Sequence, residues 1–161
     1  MPTDERSPGS ASDEPVVRPV GYVEDRPVIR RIGDRPLFIG NWRSADSAQH
    51  DRRFEYVVSA TQTSYPLTTH HHPLIDGPEN EWPDFEAAVD TTRRLYRADG
   101  SLLVHCKAGV SRSTTLLATT IAMEEDRSLD DAIAEIRAVR PVATPNPALV
   151  EQAVTYLAAH G

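Results

Sequence analysis

Cys106 and Arg112 stand six residues apart in Val104-His105-Cys106-Lys107-Ala108-Gly109-Val110-Ser111-Arg112-Ser113. The residues before them read as a short apolar strand and those after as a helix. A loop entering a helix N-terminus aims successive backbone N–H groups into one concavity, and the helix dipole adds to that field. Gly109 permits a tight turn and a close approach of backbone to an anion. The field that binds an anion also stabilises a thiolate, lowering a cysteine from about 8.5 to roughly 3.5–7.5. A thiolate in an anion cradle is placed to attack phosphorus in a phosphoester. Arg112 offers a planar fork that pairs with two phosphate oxygens at once. Ser113 can hydrogen-bond the sulfur as it leaves when a phosphocysteine is hydrolysed. A lone cysteine is ordinarily packing and a lone arginine ordinarily surface. Strand, glycine, Ser-Arg-Ser and helix together favour the catalytic reading.

Elements at fixed places must carry this loop. Val28–Ile32 and Leu37–Ile39 read as two strands around the Gly33-Asp34 turn, Arg43–Gln49 as a short helix, and Phe54–Ser59 as a buried strand. Residues 64–83 hold five prolines or glycines and read as loop, with a short strand near Leu67. Phe85, Ala88, Val89, Thr92, Leu95 and Tyr96 recur at helical spacing up to Asp99-Gly100. Leu102–Val104 is a strand, and Ser113 to about Asp126 a central buried helix, apolar on several sides. Ser128 caps a helix with Leu129, Ala132, Ile133, Ile136 and Val139 inward. Asn146 and Pro147 open the last helix, with Leu149, Val150, Ala153, Val154 and Leu157 inward. The expected architecture is α/β, a partly parallel central sheet flanked by helices. Residues 1–26, rich in Pro, Ser, Asp and Glu, are expected to be a disordered tail ahead of one domain, 27–161.

Composition narrows the function classes. The net charge of −7 argues against a broad basic face for nucleic acid. Lys107 is the only lysine, against sixteen arginines, a balance that fits either a high-salt cytoplasm or a GC-rich genome. One cysteine rules out an internal disulfide framework and a Cys-rich zinc site. No run approaches the roughly 18 apolar residues of a membrane span. The first residues lack the basic-then-apolar layout of a signal peptide, so a cytoplasmic location is expected. His70-His71-His72 in an extended segment alternate sides and do not converge on a metal; they are expected at the rim of the site or in solvent. His105 is expected to support the loop. Lys107 points either into the site or outward.

The run His-Cys-Lys-Ala-Gly-Val-Ser-Arg-Ser from His105 to Ser113 resembles the signature loop of the dual-specificity protein phosphatases, within the cysteine-dependent protein tyrosine phosphatase superfamily. Leu37-Phe38-Ile39-Gly40-Asn41 resembles that family's early strand and turn. The segment from Ser128 to Pro141, with Asn146-Pro147, resembles its C-terminal helices. The resemblance covers about residues 28–160 and implies a tyrosine-phosphatase-like fold. It implies a two-step mechanism through a cysteinyl-phosphate, with no metal and no cofactor. Lys107, Ala108, Gly109, Val110, Ser111 and Arg112 would then form the phosphate loop, and phosphorylated proteins would be the substrates. Without the long insertions that build deep phosphotyrosine pockets, the site is expected to be shallow.

A proton donor is also required, and two aspartates compete. Asp84 ends Trp82-Pro83-Asp84, the tripeptide that names the acid loop of deep-pocket tyrosine phosphatases. It lies only 22 residues before Cys106, and a helix fills most of that interval. Asp76 lies 30 residues upstream on a Gly/Pro-bounded loop, close to the interval in dual-specificity phosphatases. Asp76 is therefore the expected acid, and Asp84 an N-terminal helix residue. The other enzyme reading is a phosphatase of RNA ends, nucleotides or inositol phosphates. An inositide-type enzyme would be expected to carry a second lysine where Val110 stands. A catalytically silent phosphate-binding module is the reading from another class, and the intact Cys106 and Arg112 argue against it.

Overall fold

The computed structural model describes residues 24–161. Five strands form one sheet: β1 (Ile29–Arg31), β2 (Leu37–Gly40), β3 (Tyr56–Ser59), β4 (His70–His71) and β5 (Leu102–His105). Their order across the sheet is β1-β2-β5-β3-β4. β1 pairs with β2 antiparallel, and every other pairing is parallel. β2 and β5 are buried along their whole length, the signature of parallel strands covered on both faces.

Alternation along the strands divides the core. Leu37, Ile39, Val58, Leu102 and Val104 pack with the helices α1 (Trp82–Arg97), α2 (Arg112–Glu125), α3 (Leu129–Val139) and α4 (Pro147–His160). Phe38, Val57 and Leu103 face the other way, against Ala45, Phe54, Tyr65 and Leu67. α2 is the central helix, buried from Ser113 through Ala122. Three of its four threonines satisfy their hydroxyls on the preceding turn: Thr114 Oγ1 on the Val110 carbonyl, Thr115 Oγ1 on Ser111 and Thr119 Oγ1 on Thr115. Among the described residues no helix is long and apolar enough to cross a membrane.

Several boundaries depart from the sequence expectation. The short helix expected at Arg43–Gln49 is a 3-10 turn at Trp42–Ala45. Asn41 starts it early by accepting from the Ser44 amide, and extended backbone at Asp46 ends it. The strand expected near Leu67 is β4, at His70–His71; the Leu67 amide instead donates to the Ala45 carbonyl. α1 begins at Trp82, three residues before Phe85, because Pro83 suits a first helical turn. In α4 the buried stripe is Leu149, Ala153 and Tyr156, while Val154 is 54% exposed. The expected tail lies outside the described residues except for Glu24–Arg26. Of these, Glu24 pairs with Arg140 and Arg26 offers its carbonyl to Asn41.

Candidate active site

Cys106 follows β5 directly, and the loop Cys106–Ser111 leads into α2. The carbonyls of this loop point back into the body of the protein. Lys107 O accepts from the Trp42 amide at 3.1 Å. Ala108 O and Gly109 O accept from the Arg140 guanidinium at 2.9 and 3.2 Å. Val110 O accepts from the Thr144 amide and Ser111 O from the Thr115 amide, at 2.8 and 2.9 Å. In a planar trans peptide the following N–H points opposite to its carbonyl. The amides of Ala108, Gly109, Val110, Ser111 and Arg112 are thereby turned toward the concavity above Cys106. These hydrogen bonds, from Trp42, Arg140, Thr144 and Thr115, set the orientation of the loop.

Two positions hold the loop close to β2. Gly109 has φ +69°, and a Cβ there would stand 2.8 Å from the Gly40 carbonyl oxygen. The turn after Gly40 is fixed by Asn41, whose Oδ1 accepts from Val28 N and Ser44 N and whose Nδ2 donates to Arg26 O. Arg140, only 4% exposed, makes an ion pair with Glu24 at 2.9 Å while it holds the two loop carbonyls. The sequence reading missed Arg140. Its partners lie 31, 32 and 116 residues away, and no local pattern marks it.

Cys106 is 2% exposed. Burial pushes its thiol up, but the Arg112 guanidinium, the Ser113 hydroxyl and amide, and the Val110 amide pull it down. The balance lies below the ordinary thiol value. Ser113 Oγ sits 3.2 Å from the sulfur and the Ser113 amide 3.5 Å. Arg112 spends Nη1 on the carbonyls of Ala60 and Leu74, at 3.2 and 3.1 Å. This braces the guanidinium with Nε and Nη2 as its remaining edge.

Behind the loop lies a buried histidine. His105 Nε2 is 2.6 Å from Ser59 Oγ, and Nδ1 is 3.4 Å from the Cys106 carbonyl. Ser59 Oγ meets Thr68 Oγ1 at 2.7 Å, and Thr68 Oγ1 accepts from the Tyr65 amide at 2.9 Å. A neutral His105 with its proton on Nδ1 satisfies every member of this chain in one direction. Burial, ahead of the charges of Arg112 and His71, holds its pKa down to about 4.

Of the two competing aspartates, Asp76 reaches the loop: its Oδ1 accepts from Ser111 Oγ at 2.6 Å. Asp84 sits in the first turn of α1, where a carboxylate complements the helix dipole. His70 Nδ1 lies 2.8 Å from Thr69 Oγ1, and His71 Nε2 2.8 Å from the Thr61 carbonyl. Among the described residues no group of three or more His, Cys, Asp and Glu is arranged to hold a metal. Lys107 is exposed.

Comparison with known proteins bears on the family and the fold. Residues 37–158 match the family model described as dual specificity phosphatase, catalytic domain. Human dual specificity protein phosphatase 15 is 31% identical over 123 residues, covering 72% of this chain and 42% of that protein. Mouse dual specificity protein phosphatase 22 is 32% identical over 117 residues, covering 68% of this chain and 64% of that protein. The chain thus spans less than two thirds of either relative's length. Among solved structures, human DUSP28 superposes with a TM-score of 0.71 at 25% identity, covering 86% of this chain and 98% of that one. A mouse dual specificity phosphatase complexed with zinc tungstate gives 0.68 at 26% identity, covering 88% and 94%.

Proposed function

We propose that this chain, which belongs to the dual specificity phosphatase family, hydrolyses phosphotyrosine and phosphoserine or phosphothreonine in proteins through a cysteinyl-phosphate on Cys106. The observation that carries the reading is a buried thiol held below its ordinary pKa by Arg112, the Ser113 hydroxyl and the amides of Ser113 and Val110. The phosphate's oxygens would lie on the amides of the loop and on the Nε–Nη2 edge of Arg112, which meets two of them. Those donors stay in place as charge spreads over the equatorial oxygens in the transition state.

In the first step the Cys106 sulfur forms a bond to phosphorus while the P–O bond to the leaving group breaks. Asp76 gives its proton to the departing oxygen. In the second step water attacks phosphorus, Asp76 takes up its proton, and the S–P bond breaks. The Ser113 hydroxyl then donates to the sulfur as thiolate returns. A reactive thiolate with no second cysteine to resolve its oxidation is suited to a reducing compartment, which supports a cytoplasmic location. The tungstate held by the mouse relative is a tetrahedral oxyanion, a charge and shape that the loop of this chain would suit.

The test is phosphate release by wild type and Cys106→Ser on a panel of phosphopeptides, phosphorylated nucleotides, RNA 5′ ends and inositol phosphates. The expected result is higher kcat/KM on phosphopeptides and no turnover by Cys106→Ser. Turnover retained by that variant overturns the mechanism. A panel led by the small molecules or RNA overturns the assignment to protein substrates.

A further inference from the structure

We propose that Ser111 and Asn146 are positioning residues that set the Asp76 carboxyl over the phosphate loop before substrate arrives. The inference rests on the reading of Asp76 as the acid. Asp76 lies on an exposed stretch between Leu74 and Asn80 that belongs to no strand or helix, so regular backbone does not fix its side chain. Three hydrogen bonds do. Ser111 Oγ donates to Asp76 Oδ1 at 2.6 Å, the Asn146 amide donates to Ser111 Oγ at 2.8 Å, and Asn146 Nδ2 donates to the Asp76 carbonyl at 3.1 Å.

The donor count makes the arrangement directional. Ser111 has one hydroxyl proton and, since its oxygen accepts from an amide, that proton goes to Asp76. Asn146 divides its side chain, with Oδ1 capping α4 through the Ala148 amide at 2.9 Å and Nδ2 holding the Asp76 carbonyl. Farther along α4, Gln152 exchanges two hydrogen bonds with Asn80, at 2.9 and 2.8 Å, and Asn80 Oδ1 accepts from the Ile75 amide. The acid loop is therefore pinned to α4 and its cap at Asp76 and at Asn80, and Ser111 ties that platform to the phosphate loop. With Oδ1 engaged, the transferable proton rides on Oδ2. As the P–O bond breaks and its electron pair passes to the leaving oxygen, the Oδ2–H bond breaks and the new O–H bond forms. The carboxylate left behind keeps its hydrogen bond from Ser111.

A residue that only positions an acid matters most where the leaving group needs a proton. We would compare p-nitrophenyl phosphate, whose leaving group departs readily as an anion, with phenyl phosphate, whose leaving group does not. Asp76→Asn should lose about 10²–10⁴ in kcat on phenyl phosphate and far less on p-nitrophenyl phosphate. Ser111→Ala should show the same selectivity, with a loss on phenyl phosphate at least ~10-fold greater than on the nitrophenyl ester, as misplacement of a catalytic group allows. It should add no further loss in an Asp76→Asn background. Asn146→Asp retains a good helix cap, so its unfolding midpoint should hold while it shows the same selective loss. Equal losses on both esters, or losses that add to Asp76→Asn, overturn the positioning role. An Asp76→Asn enzyme without leaving-group selectivity overturns the assignment of the acid, and the bracket with it. Should Ser111→Ala not fold, Asn146→Asp decides in the same terms.

Discussion

His105 makes the fold itself sensitive to acid, by an amount that follows from its surroundings. It is fully buried, its pKa is held to about 4 in the folded chain, and its reference value is 6.5. Between those two values the unfolded chain binds a proton that the folded chain refuses. Stability contributed by neutral His105 is thus complete above pH 6.5 and is lost as pH falls toward 4. At about 1.4 kcal/mol per pH unit, the whole gap is worth on the order of 3 kcal/mol, and most of it is gone by pH 4.5. Protonation would also reverse the donor chain, because Nε2 would become a second donor facing the Ser59 hydroxyl. The perturbation is His105→Gln, which keeps an acceptor for Ser59 and takes up no proton. The assay is urea unfolding of both proteins at pH 7.5 and pH 4.5. Carboxylates titrate in both chains and cancel in the comparison, so wild type should lose on the order of 2–3 kcal/mol more than the variant. Parallel losses would show that burial does not keep His105 neutral, and the tautomer argument for Ser59 and Thr68 would fail with it.

The remaining expectations concern the loop. The rate of Cys106 alkylation by iodoacetamide should rise with pH to an inflection below the usual thiol value of about 8.5. Arg112→Met should move that inflection upward, because Arg112 is the largest influence lowering the thiol; an unmoved inflection would remove Arg112 as the cause. Gly109→Ala forces a side chain into left-handed backbone against the Gly40 carbonyl. It should cost about 1–3 kcal/mol in urea unfolding and weaken tungstate inhibition. Arg140→Met leaves the Ala108 and Gly109 carbonyls without their side-chain donor. Orphaning these carbonyls should lower stability by about 1–3 kcal/mol in the same assay.

What could be read in the chain divides by the range of the interaction responsible. The run from Leu102 to Ser113 announces strand, loop and helix because each element is specified by adjacent residues. Asp76 could be preferred over Asp84 on spacing, since Pro83 and the apolar stripe from Phe85 commit Asp84 to a helix start. The structure places Asp84 in that first turn and Asp76 against Ser111. Helix α4 shows where periodicity is ambiguous. Leu149, Ala153 and Tyr156 form one stripe and Val150, Val154 and Leu157 the next, and apolar character alone favours merging the two. Tyr156 takes the buried place because its ring stacks with His160 at 4.0 Å. Its hydroxyl also finds Asp90 and Arg93 on α1 at 2.5 and 3.0 Å, so burial leaves no polar atom unpaired. Val154 is left facing solvent. The clamps on the loop were illegible for the opposite reason. Arg140 meets Glu24 across 116 residues, and Asn146 meets Asp76 across 70. Read locally, Asn146 is only a helix cap, because the half of its amide that holds the Asp76 carbonyl answers to a partner that folding alone brings near.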